Sequence, residues 1–325
     1  MKSLLITRRM LLATAAAVAM GATATDAIAE AKGKTVEYIT FGLQFEYQVA
    51  MVEGVKKRAA EAGITLNVID GKGDPNLQVT QVLDAVTKQP DVLLINPVDA
   101  TLLVAGVKKA NEANIPVFIM ENPPPEGKYL GFVDFDNVAG GSMGADALAK
   151  AIGEEGTVLE TRGSVGSAQA EARHKGFNDQ MAAKYPKVTV KSLNTEWVAD
   201  NAYKMVLDAF TQDPNIKGVF SHNDEMVRGI VSALRQIGKL TAPGEAGHVF
   251  IVGLDGTPLA LDRIREGTQD ATVAQDPYAM GGGGILEQVI AYLDAKEYNN
   301  NMQTKPYIID KSNVDEERNW GNFGK

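Results

Sequence analysis

The 325-residue sequence contains no cysteine, so no disulfide can hold the fold and an apolar core must do so. The same absence excludes a lipid anchor attached through an N-terminal cysteine. The apolar run over 10–21 is far short of the ~20 residues that cross a bilayer, so no membrane anchor is expected. Excess positive charge is also lacking. The formal net charge is -9, which argues against nucleic acid and anionic membrane surfaces as partners. The histidines are only His174, His222 and His248, and they lack metal-ligand spacing, so neither metal nor cofactor is expected.

What is present begins with an address. Lys2, Arg8 and Arg9 form a basic stretch, the apolar run follows, and Ala27-Ile28-Ala29 offers a small-x-small cleavage site. A signal peptide over 1–29, cleaved near Ala29, would release a soluble chain into the periplasm. Thr7-Arg8-Arg9-Met10-Leu11-Leu12 resembles a twin-arginine signal. Paired arginines also occur in general secretory signals, so both export routes stay open.

After Lys34, short apolar runs alternate with stretches of helical period. The pattern predicts strands over 35–41, 65–70, 91–95, 116–120 and 129–133, and helices over 46–62, from Asp74-Pro75 onward and over 99–114. Val49, Val52, Val55, Ala59 and Ala62 share one face of the first helix, and Val79, Val82, Leu83 and Val86 one face of the second. Val92-Leu93-Leu94-Ile95 does not alternate with polar residues, as expected of a parallel strand covered on both faces. The proline-rich stretch 122–128 is loop. The alternation restarts after Asn137, with strands over 157–161, 188–193, 218–221, 249–254 and 271–274. Helices are expected near 138–153, 168–184, 200–212, 224–238, 258–266 and 278–295. Two series of βαβ units in a chain above roughly 250 residues predict an α/β protein of two doubly wound parallel-sheet lobes. A single (β/α)₈ barrel has a similar element order, and the break at 134–137 disfavours it.

Open parallel sheets bind ligands beyond the carboxyl ends of their strands. Phe41, Asn96 and Glu121 stand at those ends in the first series, and Asn223, Asp255 and Gln275 in the second, with Phe45, Tyr47 and Trp197 nearby. Carboxylates, amides and guanidinium groups satisfy vicinal hydroxyls in pairs, while aromatic faces cover C–H surface, so the mixture suits a sugar or polyol. A ligand of ~10 heavy atoms held at micromolar strength needs roughly -0.8 kcal/mol per atom, which requires enclosure from both sides. Asn96-Pro97 and Asp255-Gly256 are turn formers in their own right, so the argument rests on the whole set.

Catalytic readings are weaker. Gly140-Gly141-Ser142-Met143-Gly144 fits G-x-S-x-G, but Ser142 falls inside a predicted helix rather than on a turn after a strand, and close helix packing explains the glycines better. The glycines over 281–284 lack the Lys-Ser or Lys-Thr of a phosphate loop and suggest close approach to a sheet. His222 reads as a structural histidine. With no convincing nucleophile, acid–base pair or cofactor loop, the chain is not expected to be an enzyme. The tail from Ser312, containing Trp320 and Phe323, is either loosely ordered or docked as a strap.

Leu93-Leu94-Ile95-Asn96-Pro97-Val98-Asp99, Asn114-Ile115-Pro116-Val117, Asn223-Asp224-Glu225-Met226 and Gly253-Leu254-Asp255-Gly256-Thr257-Pro258 resemble the ribose-binding branch of the periplasmic sugar-binding proteins. Asp136-Asn137 with Gly140-Gly141, and Ala271-Thr272-Val273-Ala274-Gln275, extend the resemblance in order over nearly the whole mature chain. It implies a type I periplasmic binding protein fold with lobes formed by 30–136 plus 276–305 and by 137–275 plus 306–325. Hinge strands would cross near Asp136-Asn137, near Gln275-Asp276 and around 304–306. It implies that Asn96, Arg173, Asn223, Asp255 and Gln275 hydrogen-bond a sugar, with Tyr47 and Trp197 against its faces. Gln48, Phe41, Phe45, Glu121 and Asn122 complete the candidate set. The implied role is that of a monomeric solute-binding component of an ABC importer, docking on an inner-membrane permease. A sensor subunit for a chemoreceptor or kinase shares the fold and stays open. A sugar-responsive repressor would need a helix-turn-helix where the export signal stands.

The departures from that branch bear on the ligand. Its ribose binders carry a small hydroxyl residue in place of Phe41, an amide in place of Phe45, and Asp-Arg in place of Glu121-Asn122. Two phenylalanines take up volume, and losing the arginine removes a bidentate donor. The expected ligand is therefore not plain ribose but a smaller or less hydroxylated sugar, a short polyol, or a cationic derivative such as an amino sugar. The alternative is that Phe41 or Phe45 packs in a lobe core.

Overall fold

Every residue of the apolar run Val92–Ile95 is buried, and the strand it forms lies inside a sheet rather than at an edge. The computed structural model describes residues 31–323; the expected signal peptide lies outside them. In chain order the first series is β1 (Thr35–Ile39), α1 (Glu46–Ala62), β2 (Thr65–Ile69), α2 (Pro75–Lys88), β3 (Val92–Ile95), α3 (Val104–Glu112), β4 (Val117–Met120) and β5 (Gly131–Phe135). The second begins with α4 (Asn137–Ala151), β6 (Gly156–Arg162), α5 (Ala168–Lys184), β7 (Val188–Asn194) and α6 (Ala199–Gln212). It continues through β8 (Gly218–Ser221), α7 (Asp224–Gln236), β9 (Phe250–Asp255), α8 (Pro258–Glu266) and β10 (Ala271–Ala274). The chain then runs through α9 (Pro277–Met280), a π-helical turn Gly281–Ile285, α10 (Leu286–Leu293), β11 (Asn301–Thr304) and β12 (Tyr307–Asp310).

These strands form two sheets, ordered β11-β5-β4-β3-β1-β2 and β12-β10-β9-β8-β6-β7. Pairing is parallel throughout, except that β12 runs antiparallel along β10. Each sheet contains the 2-1-3-4-5 order of a doubly wound fold, with its switch point between β1 and β3 in one and between β6 and β8 in the other. The polypeptide passes between sheets at Asp136, at Gln275-Asp276 and at Lys305-Pro306. A continuous apolar cluster, from Val36 and Val55 through Phe135 and Leu148 to Val252 and Val273, joins the two lobes.

Some local expectations shift. Val49 is 41% exposed because the buried face of α1 is centred on Tyr47, Gln48, Met51 and Val55. Leu83 is likewise exposed, while Gln78 and Ala85 face inward from α2. Asp99 caps a turn, accepting from the Thr101 and Leu102 N–H groups, and α3 starts only at Val104. β5 lies two residues later than its pattern suggested, with Tyr129 and Leu130 exposed. The helix expected near 278–295 is broken by the π turn, and its glycines approach α1 more than the sheet. A Cβ on Gly281 or Gly282 would lie 2.8 Å from the Met51 carbonyl oxygen or 2.7 Å from that of Gly54, whereas Gly284 faces Val133.

The glycines of α4 serve packing. A Cβ on Gly141 would lie 2.1 Å from the Arg173 carbonyl oxygen, and one on Gly176 lies 2.0 Å from that of Val138. Ser142 Oγ donates to the Gly176 carbonyl at 3.1 Å, so it is a helix–helix contact. This close crossing of α4 and α5 sets where Arg173 stands.

Candidate ligand-binding cleft

Strand ends from both sheets converge on a cleft of about 600 Å³, its open mouth included. From the first lobe it is lined by Phe41, Phe45, Glu46, Tyr47, Gln48 and Glu121. From the second come Gln169, Arg173, Trp197, Asn223, Asp224, Glu225, Asp255, Thr257 and Leu259. Phe41 and Phe45 therefore face the cleft rather than a lobe core, edge to face with centroids 5.7 Å apart. Asn96, Asn122 and Gln275 stand behind the lining. Asn122 turns back toward the Pro97 carbonyl at 3.4 Å.

A hydrogen-bond network forms the base. Glu121 Oε2 accepts from Asn96 Nδ2 at 2.5 Å and Gln48 Nε2 at 2.9 Å, and its Oε1 accepts from Gln275 Nε2 at 3.1 Å. Gln275 Nε2 also donates to the Tyr47 hydroxyl at 2.5 Å. The Gln275 oxygen accepts from Arg173 Nη2 at 2.6 Å. Arg173 Nε donates to Asn137 Oδ1 at 2.8 Å, and Nη1 donates to the His222 carbonyl. Each guanidinium nitrogen thus has a protein acceptor, and the group is only 3% exposed, so its orientation is set by the protein. Its plane lies near Trp197, 5.6 Å from the ring centroid, and Asp255 Oδ1 lies 3.9 Å from Nη1.

Three cleft residues hold backbone conformations that side chains rarely adopt: Glu121 at φ 60°, Trp197 at φ 63° and Asp255 at φ 125°. Gly163 leaves room for the Trp197 ring, which would lie 2.0 Å from a Cβ there. The Gly163 N–H donates to His222 Nδ1 at 3.3 Å, and His222 Nε2 pairs with Glu160 at 2.9 Å, a structural arrangement on a buried ring. Asn223 caps α7 through Oδ1, which accepts from the Met226 N–H at 2.9 Å, and it also lines the cleft. Asp224 accepts from the N–H groups of Gly256 and Thr257 at 2.8 and 3.1 Å, gripping the turn after Asp255.

The cleft is acidic. Burial pushes the Asp255 carboxyl well above its ordinary range; Arg173 opposes this, and Asp224 and Glu121 add to it. Burial raises Asp224 to about 6 against the hydrogen bonds it accepts. Glu46 is raised by burial and then by Glu225. Glu46, Gln169, Asp224, Glu225, Thr257 and Leu259 were not anticipated. Glu46 and Glu225 lie in first turns of helices, and only the adjacent Phe45 and Asn223 could have signalled them. No group of three His, Cys, Asp or Glu residues among the described residues could hold a metal.

Just behind the site, Asp134 on β5 faces Glu121, Arg173 and Asp136. Burial raises its carboxyl to about 7, opposed by the Phe135 N–H and Arg173 and assisted by Glu121 and Asp136. A raised folded-state value means that stability present below the unfolded value is lost as pH rises through about 7. Asp134→Asn is therefore expected to melt with the parent near about pH 4 and above it at about pH 8. Melting curves across that range check this; a pH-independent difference would refute a titrating Asp134.

Two doubly wound lobes joined by three crossings, with a lined cleft between them, define a two-lobed ligand-capture protein of the type I periplasmic binding protein fold. Residues 36–297 match the family model of the periplasmic binding protein domain, and the chain belongs to that family. It is 33% identical over 269 residues to the ribose import binding protein RbsB of Escherichia coli (strain K12), covering 83% of this chain and 88% of that protein. The galactofuranose-binding protein YtfQ of the same organism is 28% identical, covering 84% of this chain and 86% of its own. Among solved structures, an ABC transporter solute binding protein from Agrobacterium vitis bound with alpha-D-tagatopyranose superposes with a TM-score of 0.80 at 26% identity, covering 88% and 97% of the two chains. These relatives are binding proteins. Among the described residues no helix is long and apolar enough to cross a membrane.

Proposed function

We propose that this chain is the periplasmic solute-binding component of an ABC importer. Its lobes, 30–136 plus 276–305 and 137–275 plus 306–325, close on a small monosaccharide or sugar alcohol and present it to an inner-membrane permease. Export would use the signal over 1–29, and the mature chain would act as a soluble monomer. The observation that carries this reading is the cleft itself, where a guanidinium held by protein acceptors, carboxylates and amides from both lobes face the aromatic walls Phe41, Phe45, Tyr47 and Trp197. Arg173, Asn223, Asp255 and Gln48 would meet hydroxyls, while Asn96, Asn122 and Gln275 would act from behind. A ribose import binding protein and a solute binding protein bound with alpha-D-tagatopyranose, both similar to this chain, support the chemical class. Phe41 and Phe45 at the lining favour a ligand with fewer hydroxyls than ribose offers on that side, and the excess of carboxylates leaves room for an amino sugar.

A thermal-shift screen of the mature chain against pentoses, tetroses, hexoses, amino sugars and polyols tests this. A ligand at a hundredfold excess over its Kd adds about 2.7 kcal/mol, a rise of roughly 5–10 °C. If no carbohydrate or polyol moves the melting point, the reading is wrong.

A further inference from the structure

The family match ends at residue 297, yet Trp320 beyond it contacts Asp255 and Tyr47, two residues that line the cleft. The segment 311–323 lies as a strap over the second lobe, with Val314 and Trp320 buried. Asn319 Nδ2 donates to the carbonyls of Asn313 and Val314 at 2.8 and 3.1 Å, pinning the residue before Trp320. A Cβ on Gly321 would lie 2.7 Å from the Gly256 carbonyl oxygen, so the strap crosses directly over the turn that follows Asp255. There the indole Nε1–H donates to the Asp255 carbonyl at 2.7 Å, and the Gln275 N–H donates to the same oxygen at 3.0 Å. Two donors on that carbonyl fix the peptide plane following a residue held at φ 125°. The indole also meets Tyr47, on the other lobe, at a centroid distance of 6.3 Å.

We propose that Trp320 is a positioning residue for ligand capture: it holds the Asp255 backbone so that the carboxylate faces the cleft, and it links that residue to Tyr47 across the lobes. This rests on the cleft being the ligand site. Trp320→Phe removes the donor and keeps a ring. Phe323→Leu, on the same strap, removes a ring contact with Tyr278 but no hydrogen bond to the Asp255 carbonyl, and serves as the comparison.

The test uses the whole mature chain, with D-ribose, D-allose, D-tagatose, erythritol and D-glucosamine as probes in calorimetry. Amide hydrogen exchange is followed separately without ligand. Trp320→Phe is expected to raise the Kd of any probe bound by the parent about tenfold and to speed exchange at Gly256 and Thr257 by a similar factor. Phe323→Leu should change neither. Equal Kd values for Trp320→Phe and the parent, or equal weakening by both variants, would overturn the proposal. If the parent binds no probe, the assignment of these probes to the cleft fails, and exchange alone decides the clamp: unchanged rates at Gly256 and Thr257 in Trp320→Phe sink it.

Discussion

Arg173→Met is expected to abolish ligand-induced stabilisation and to lower the melting point of the unliganded protein. The guanidinium donates to Asn137, His222 and Gln275, which belong to the α4 start, the end of β8 and the second crossing. Methionine fills much of the space but leaves those acceptors without partners and Asp255 without its nearby cation. Breaking a buried charged arrangement by removing one member costs about 3–5 kcal/mol, on the order of 10 °C in a chain of this size. Binding should weaken roughly a hundredfold or more, since the group is both fixed and central to the cleft. Calorimetric melts with and without the screened ligand provide the measurement. Wild-type ligand stabilisation in this variant would remove Arg173 from the site.

Asp255→Asn is expected to lose binding to a similar degree without lowering stability. Burial holds the Asp255 carboxyl well above its ordinary range despite Arg173. Stability associated with the protonated form is present below the unfolded value and is lost as pH rises toward the folded one. An amide has no such loss, so the unliganded variant should equal or exceed the parent in melting point at about pH 8. An amide NH2 replaces one acceptor oxygen of the carboxyl, so a hydrogen bond to a ligand hydroxyl is lost, which is expected to weaken binding by roughly a hundredfold. A variant that is destabilised at that pH yet binds normally would contradict both parts. Together the two substitutions separate function from folding, because they share a binding defect and only Arg173→Met lowers the melting point of the unliganded protein.

The sheets were readable where burial is complete. Val92–Ile95 and Ala271–Ala274 are continuous apolar or small runs, and their helices carry clear caps such as Asp74 and Thr257. β11 and β12 were not readable by period, because NMQT and YIID are short edge strands that are only partly buried. Polar residues at strand ends were visible as a set, but their depth was not. Asn96 and Gln275 stand behind Glu121 and Arg173 because hydrogen bonds among them form the cleft base. Glu225 and Leu259 come from helix starts brought alongside by tertiary packing, and no local pattern encodes that. The strap held only a hint, two aromatics in a polar tail, and its hydrogen bond to Asp255 depends on a fold completed far upstream.

The three crossings also constrain how the molecule is made. Neither sheet is complete until residues 301–310 have been synthesised, since β11 and β12 supply the outer strand of each. A nascent chain that has already emerged through β10 still exposes the edges of β5 and β10, which are open templates for intermolecular pairing. This outer strand is therefore the last strand of each lobe to be synthesised. Both late strands come from one short segment, 301–310, so a single stretch of chain covers an edge on each lobe.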